Sequence, residues 1–220
     1  MTTSKVEKIK RPKSLAEIVT DQLRTEIMEG NLELGKALSE IKLADKYGVS
    51  KTPVREAFFR LKQEGIVDII PQKGSFVYYP TSEEVSQLCD FRAYIEPLAF
   101  RESYVYGNIE FLDQLEIVVT KMRRVLVRED YVEYLRLDSQ FHQAFFDYCK
   151  NRHLKESYML ISAKVAALRS HMSMNKAKAE DSNSQHIQIV DLLNDKKIDE
   201  AVLLLKKHIL DIKDAYVSCI

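Results

Sequence analysis

The stretch SEIKLADKYGVSKTPVREAFFRLKQEG, residues 39–65, limits what this chain can fold into more than any other part of it. It holds two short helical patterns with a glycine between them. The first begins near Ser39 and stops at Gly48; the second begins near Ser50 and stops at Gly65. Gly48 supplies the positive φ that a tight turn between helices requires, and Ala44 is small where the two helices must cross closely. Pro53 falls in the first turn of the second helix, where an amide hydrogen would have no intrahelical partner. Leu43, Val49, Val54 and Leu61 supply the apolar contacts that lock the pair. This is the spacing of a helix-turn-helix.

An amphipathic helix precedes the pair. Ser14 and Glu17 form a capping box, Leu15, Ile18, Val19, Leu23 and Ile27 follow in helical phase, and Gly30 ends the pattern. After Gly65 the period shortens. IVDII and SFVYY are β-rich runs separated by Pro71-Gln72-Lys73-Gly74, which predicts a two-stranded hairpin closed by Pro80. Residues 1–80 are therefore expected to form a winged helix-turn-helix domain of three helices plus a hairpin wing. In such a motif the second helix of the pair presents its N-terminal end to the major groove, here Lys51, Thr52 and Arg55. An arginine at Arg55 can grip a guanine edge or a phosphate with two hydrogen bonds. Ser39 at the first helix start, and Lys73 with Gly74 at the wing tip, complete the expected DNA-binding set. A small helical core with a surface hairpin that binds nothing would show the same spacing.

The charge balance is compatible with a polyanion partner without establishing one. The chain carries 33 basic and 33 acidic residues; residues 1–80 hold 14 Lys and Arg against 11 Asp and Glu, leaving 19 against 22 for the rest. The head is thus +3 and the remainder −3, with a basic cluster at Lys5, Lys8, Lys10, Arg11 and Lys13. No run of about eighteen apolar residues predicts a membrane span, and the polar, basic start does not read as a secretory signal. Cys89, Cys149 and Cys219 are isolated, as expected of reduced thiols in the cytoplasm.

Residues 81–220 are expected to form an all-α bundle, with helices near 81–106, 108–128, 130–150, 154–175, 182–194 and 198–218. Thr81-x-x-Glu84, Asp130-x-x-Glu133 and Ser182-x-x-Gln185 resemble capped starts, and Asn108 is a plausible cap. Inside this apolar periodicity sit polar residues. Asp138 and His142 occupy the inward stripe of one helix at i and i+4, His186 lines up with Ile189, Val190 and Leu193, and His208 lies within the stripe of Ala201, Leu204, Leu205, Ile212 and Ala215. A buried carboxylate and three imidazoles must pair or bind something, because each left alone costs several kcal/mol or neutralises. A lone inward histidine is ordinarily a satisfied core residue; four such positions on three helices suit a divalent transition metal such as zinc, nickel or manganese. Arg92 is also in inward phase, with Val85, Leu88, Ile95 and Ala99. It could bridge Glu96 or receive the carboxylate of a ligand; Arg169 is a second candidate anion contact.

The motifs carry a resemblance. Leu38-Ser39-Glu40, Leu43-Ala44, GVSKTPVRE from Gly48 to Glu56, Ala57, Leu61, Glu64-Gly65 and Gly74-Ser75-Phe76-Val77 resemble the winged domain of the GntR family of bacterial regulators. Two positions depart from that pattern: Lys51 and Ile41 stand where members often carry arginine. Lysine keeps the charge and loses the two-pronged geometry, so operator preference is expected to differ. The second half resembles the all-helical FCD effector domain of the FadR subfamily. Phe91-Arg92-x-x-x-Glu96 matches its opening signature, Asp138, His142, His186 and His208 match its metal ligands, and six helices resemble the shorter, VanR-like branch. The resemblance implies a homodimeric regulator, usually a repressor, that reads palindromic half-sites in operator DNA. It further implies one metal ion per chain and a small organic-acid effector. A regulator sensing the metal itself is an alternative. A metal-dependent hydrolase is a weaker one, since no general base stands beside the ligand set.

Overall fold

The computed structural model describes residues 12–171 and 176–217. Of the residues singled out above, Lys5, Lys8, Lys10, Arg11, Cys219 and the end of the helix expected over 154–175 lie outside the described residues.

The first unit assembles as its punctuation dictates. α1 (Leu15–Met28) starts on Ser14, whose hydroxyl accepts from the Glu17 amide while the Glu17 carboxylate takes the Ser14 amide. This reciprocal box satisfies donors that a helix start leaves orphaned. α2 (Glu40–Tyr47) starts on Ser39 and ends at Gly48, which is left-handed at φ 65°. α3 (Lys51–Gln63) follows, with Pro53, Val54, Ala57, Phe58 and Leu61 buried. Leu23, Ile27, Val54, Phe58, Leu61, Ile66 and Val77 form one core beneath the three helices. An ion pair from Arg24 to Glu64 at 2.7 Å binds the edge of α1 to the end of α3, and Asp21, one turn back on α1, holds the same guanidinium at 2.6 Å.

The wing differs from the expected hairpin in one respect. β2 (Val67–Ile70) and β3 (Gly74–Val77) pair antiparallel in register Val67↔Val77 to Ile70↔Gly74, as predicted. A further strand, β1 (Ala37–Leu38), pairs with the other edge of β3, giving the order β1-β3-β2. Two residues carry no periodicity, so β1 exists only because β3 offers its free edge.

The second unit is helical throughout, with α4 (Ser82–Tyr106), α5 (Asn108–Val127), α6 (Tyr131–Asp147), α7 (Arg152–His171), α8 (Lys176–Asn194), α9 (Ile198–Asp211) and α10 (Lys213–Val217). Thr81 and Asp130 cap α4 and α6 through the amides of Glu84 and Glu133. Two boundaries depart from expectation. α8 is under way by Lys176, so Ser182 is an interior residue with a buried side chain and not a helix start. The helix expected over 198–218 is interrupted at Ile212, and α10 continues it as a separate turn. Phe100, Phe111, Phe141 and Phe145 pack edge to face at the centre of the bundle.

The two units are packed together through α7. Ala167 is fully buried in the core of the winged unit, and Ala163 lies against it. His171 Nε2 accepts the Leu34 amide at 3.2 Å, while its Nδ1 sits 2.8 Å from the Ala167 carbonyl. Lys164 reaches Glu84 at 3.1 Å and lies 4.5 Å above the Tyr78 ring. A larger side chain has no room at this seam. Ala167→Leu is expected to lower stability by about 1–3 kcal/mol through overpacking, read as a reduced urea midpoint at unchanged m-value.

Candidate nucleic-acid interface and buried metal centre

The expected DNA-contacting residues are exposed on the winged unit, apart from the partly buried Ser39. Lys51 and Thr52 are exposed in the first turn of α3, and Arg55 follows one turn later with its side chain 59% accessible. Its guanidinium is held by Glu40 of α2 at 2.7 Å, so the free protein keeps Arg55 extended over the helix pair. Ser39 is the α2 cap, its hydroxyl 3.4 Å from the Lys42 amide. Ile41, where an arginine would be usual in the resembling family, is exposed. At the wing tip Gln72 has φ 63° and Gly74 φ 116°, with open space around the Gly74 Cα. Lys73 is exposed between them. A side chain at position 74 would be strained at that φ, which accounts for the glycine.

In the helical unit the four inward polar residues converge. One ligand atom from each of Asp138, His142, His186 and His208 lies within 4.8 Å of all the others, and all four residues are buried. His186 Nε2 stands 3.2 Å from His208 Nε2 and 3.4 Å from Asp138 Oδ1. Three nitrogens and one oxygen are a donor set suited to a divalent transition ion. A tetrahedral shell with bonds of about 2.0–2.1 Å has edges of roughly 3.4 Å, close to those two separations. Asp138 Oδ1 has no hydrogen-bond partner although it is buried. An unpaired buried carboxylate oxygen aimed at imidazole nitrogens is what a ligand set without its ion would show. The residues fit the metal.

The electrostatics keep the set ready to coordinate. Burial disfavours charge on Asp138, yet Arg169 and the surrounding imidazoles hold its carboxyl well below the usual range. Burial pushes His186 and His208 down to about 3, outweighing the nearby carboxylate, and holds His142 well below the ordinary histidine value. Neutral imidazoles and an ionised carboxylate are the protonation states a metal needs.

Two residues outside the expected set touch it. Glu96 is fully buried, with Oε2 2.7 Å from His142 Nδ1 and Oε1 on Arg92 Nε. Gln185 Oε1 lies 2.6 Å from His208 Nδ1. Arg92 therefore makes the Glu96 bridge that its phase allowed, and its Nη1 has no partner. Burial opposes its charge, but Glu96 keeps the guanidinium protonated. Arg169 pairs through Nε with Asp138 and donates from Nη1 to Ser139 Oγ at 2.8 Å. His171 belongs to the seam between the units and not to this cluster, and His153 is exposed. A cavity of about 270 Å³ lined by Ser182, Gln185, His208, Asp211 and Ile212 opens the His208 side of the cluster to solvent.

Comparison with known proteins agrees with both halves. Residues 15–77 match the domain described as bacterial regulatory proteins, gntR family, and residues 87–211 match the FCD domain. The Nta operon transcriptional regulator of Aminobacter aminovorans is 30% identical over 181 residues, 80% of this chain and 81% of that one. The HTH-type transcriptional repressor RspR of Escherichia coli K12 is 25% identical over 193 residues, covering 88% and 85%. Among solved structures, a GntR regulator from Rhodococcus sp. RHA1 shares the fold at TM-score 0.81 and 21% identity, covering 94% of this chain and 99% of that one. Escherichia coli McbR/YncC shares it at 0.82 and 19%, with the same coverage. A winged reading head joined to a helical bundle with a buried polar centre defines a DNA-binding transcriptional regulator. The chain belongs to the GntR family, with an FCD domain as its second half. No helix among the described residues is long and apolar enough to cross a membrane.

The Asp138–Arg169 pair generates a prediction for the metal-free protein. Asp138→Asn removes the anion and leaves a fully buried guanidinium uncompensated, which costs about 3–5 kcal/mol. Thermal or urea unfolding of the chelator-treated variant against wild type measures it.

Proposed function

We infer that this protein is a repressor that binds palindromic operator half-sites as a homodimer and releases them when a small organic acid enters the FCD domain. The observation that carries the reading is the convergence of Asp138, His142, His186 and His208 in a bundle attached to a DNA-reading head. Those four residues would hold a zinc, nickel or manganese ion, one per chain, which when bound supplies a Lewis-acidic positive centre for a carboxylate. Arg92 is the effector's second anchor: its Nη1 is buried and without a partner, and a guanidinium fork suits a carboxylate. Arg169 is bound to Asp138 and to Ser139. The Tyr216 hydroxyl and the Asn183 carbonyl oxygen are also buried in this unit without partners, further polar capacity for a ligand.

α7 supports a route from the bundle to the reading head. Arg169 faces Asp138, while Ala167, Ser170 and His171, within one turn of it, pack against the winged unit. A ligand that draws differently on Arg169 in two states of the bundle thereby shifts the balance between two placements of the head. Dimerisation is supported by an exposed apolar stripe on α4, Phe91, Tyr94, Leu98 and Val105, beside exposed Leu203 and Leu210 of α9. Exposed stripes of this extent mark protein contacts.

On the DNA side, Lys51, Thr52 and Arg55 enter the major groove, with Ser39, Lys73 and Gly74 at the flanking backbone. Arg55→Ala is expected to weaken binding to a duplex selected from a random pool by the wild-type protein by at least about tenfold. The variant should elute as wild type on size exclusion. Undiminished binding in a gel shift would remove Arg55 from the interface.

On the sensing side, metal analysis of purified protein should return about one transition-metal ion per chain. Chelation should abolish release of that duplex by a screened organic acid, and restoring the ion should recover it. Release by the ion alone, without an acid, would instead make the metal the signal. Full acid response in metal-free protein would refute the coordination reading.

A further inference from the structure

Glu96 is fully buried on α4. Its two carboxylate oxygens are divided between two elements: Oε1 takes Nε–H of Arg92, one turn back on α4, and Oε2 stands 2.7 Å from Nδ1 of His142 on α6. A carboxylate accepts and does not donate, so His142 must carry its proton on Nδ1 and present Nε2 unprotonated toward Asp138, His186 and His208. Gln185 does the same for His208 through a carboxamide oxygen 2.6 Å from Nδ1.

We propose that Arg92 and Glu96 form a positioning pair whose task is to fix the tautomer and ring plane of His142 as a metal ligand, with Gln185 serving His208. The inference rests on the metal reading above and assigns the Arg92-x-x-x-Glu96 motif a role that effector capture alone leaves unexplained, because Nε of Arg92 is committed to Glu96 and the second oxygen of Glu96 faces His142. The i, i+4 spacing is required: it stacks the guanidinium directly against the carboxylate on one face of α4, and both are completely buried. Arg92 compensates the charge of Glu96, and Glu96 passes orientation and electron density to His142. Outer partners of this kind govern metal affinity without touching the ion.

The pair makes Glu96→Gln a chemically specific test. Arg92 only donates, so in this variant the new carboxamide must turn its oxygen to Arg92, leaving its NH2 group facing His142 Nδ1. That group donates, and the imidazole proton is driven to Nε2, the atom that should coordinate. Long-range proton–nitrogen NMR on metal-free protein reads the tautomer directly: Nδ1–H at His142 in the wild type and Nε2–H in Glu96→Gln. Competition with a chromophoric chelator reads Zn²⁺ affinity, expected to fall about 10–100-fold in the variant at unchanged stoichiometry. The visible bands of the Co²⁺-loaded protein should shift with it, and Gln185→Leu should lower affinity in the same direction. Glu96→Asp keeps the charge with a shorter reach; it should retain the Nδ1–H tautomer and recover part of the affinity, and it stands in as the weakened variant if Glu96→Gln does not fold. Wild-type Zn²⁺ affinity and an unchanged tautomer in Glu96→Gln would overturn the positioning role and leave the metal site standing. A wild-type protein that binds neither Zn²⁺ nor Co²⁺ would overturn both.

Discussion

The Asp138 carboxylate is the constraint around which the helical half is arranged. A charge in the middle of a bundle is stable only if its surroundings replace the water it has lost. Here the replacement comes from His142 one turn on along α6 and from three other helices: Arg169 of α7 through an ion pair, His186 of α8 at 3.4 Å, and His208 of α9 behind it. Each of those groups is itself buried and polar, so each needs its own partner. Glu96 answers Arg92 and His142, Gln185 answers His208, and Ser139 answers Arg169. The result is a polar network that ties α4, α6, α7, α8 and α9 to one another and is left open at Asp138 Oδ1, His186 Nδ1 and Arg92 Nη1.

The same network explains why the bundle and the reading head are mechanically joined. α7 is short of large side chains where it meets α1. Ala163 and Ala167 let the helices approach, Ser170 lies close to Gly30, and His171 holds the Leu34 amide. Arg169 lies among these residues and faces the other way, toward Asp138. One helical turn thus carries a charge contact on one face and an interdomain contact on the other. A helix is stiff over that distance, so the two faces cannot move independently.

Much of this was legible in the sequence, because helix punctuation and inward phase are local properties. Ser14, Ser39, Thr81 and Asp130 announce their helices through side-chain chemistry that needs nothing from the rest of the fold. Asp138 and His142 declare themselves by sitting four residues apart in an apolar stripe. What was not legible depends on partners distant in sequence. β1 is two residues that become a strand only beside β3. Ser182 imitates a cap but is turned inward among buried neighbours of α8, and the break at Ile212 carries neither glycine nor proline. Glu96 was visible as a partner for Arg92, yet its second oxygen meets a histidine 46 positions away. Its inward phase, one turn after Arg92, was the available signal: two opposite charges on a core stripe imply that something polar lies beyond them.

The two halves also differ in how firmly chemistry ties residue to role. The reading head keeps its expected contact residues at the surface and lightly held: Arg55 leans on Glu40 and would have to leave it, or share it, to reach a base. Such an ion pair at the surface is worth little, about 0–1 kcal/mol, so it orients the arginine and would not oppose a transfer to DNA. The buried polar centre is built in the opposite way. Its groups are buried, and their surroundings hold the imidazoles neutral and the Asp138 carboxyl ionised, the states that coordination of a metal would require. A surface that must exchange partners tolerates weak, solvated pairs. Buried pairs have no water to exchange with, so the pairs of Arg92 with Glu96 and of Arg169 with Asp138 hold their geometry in advance of any ligand the centre would take.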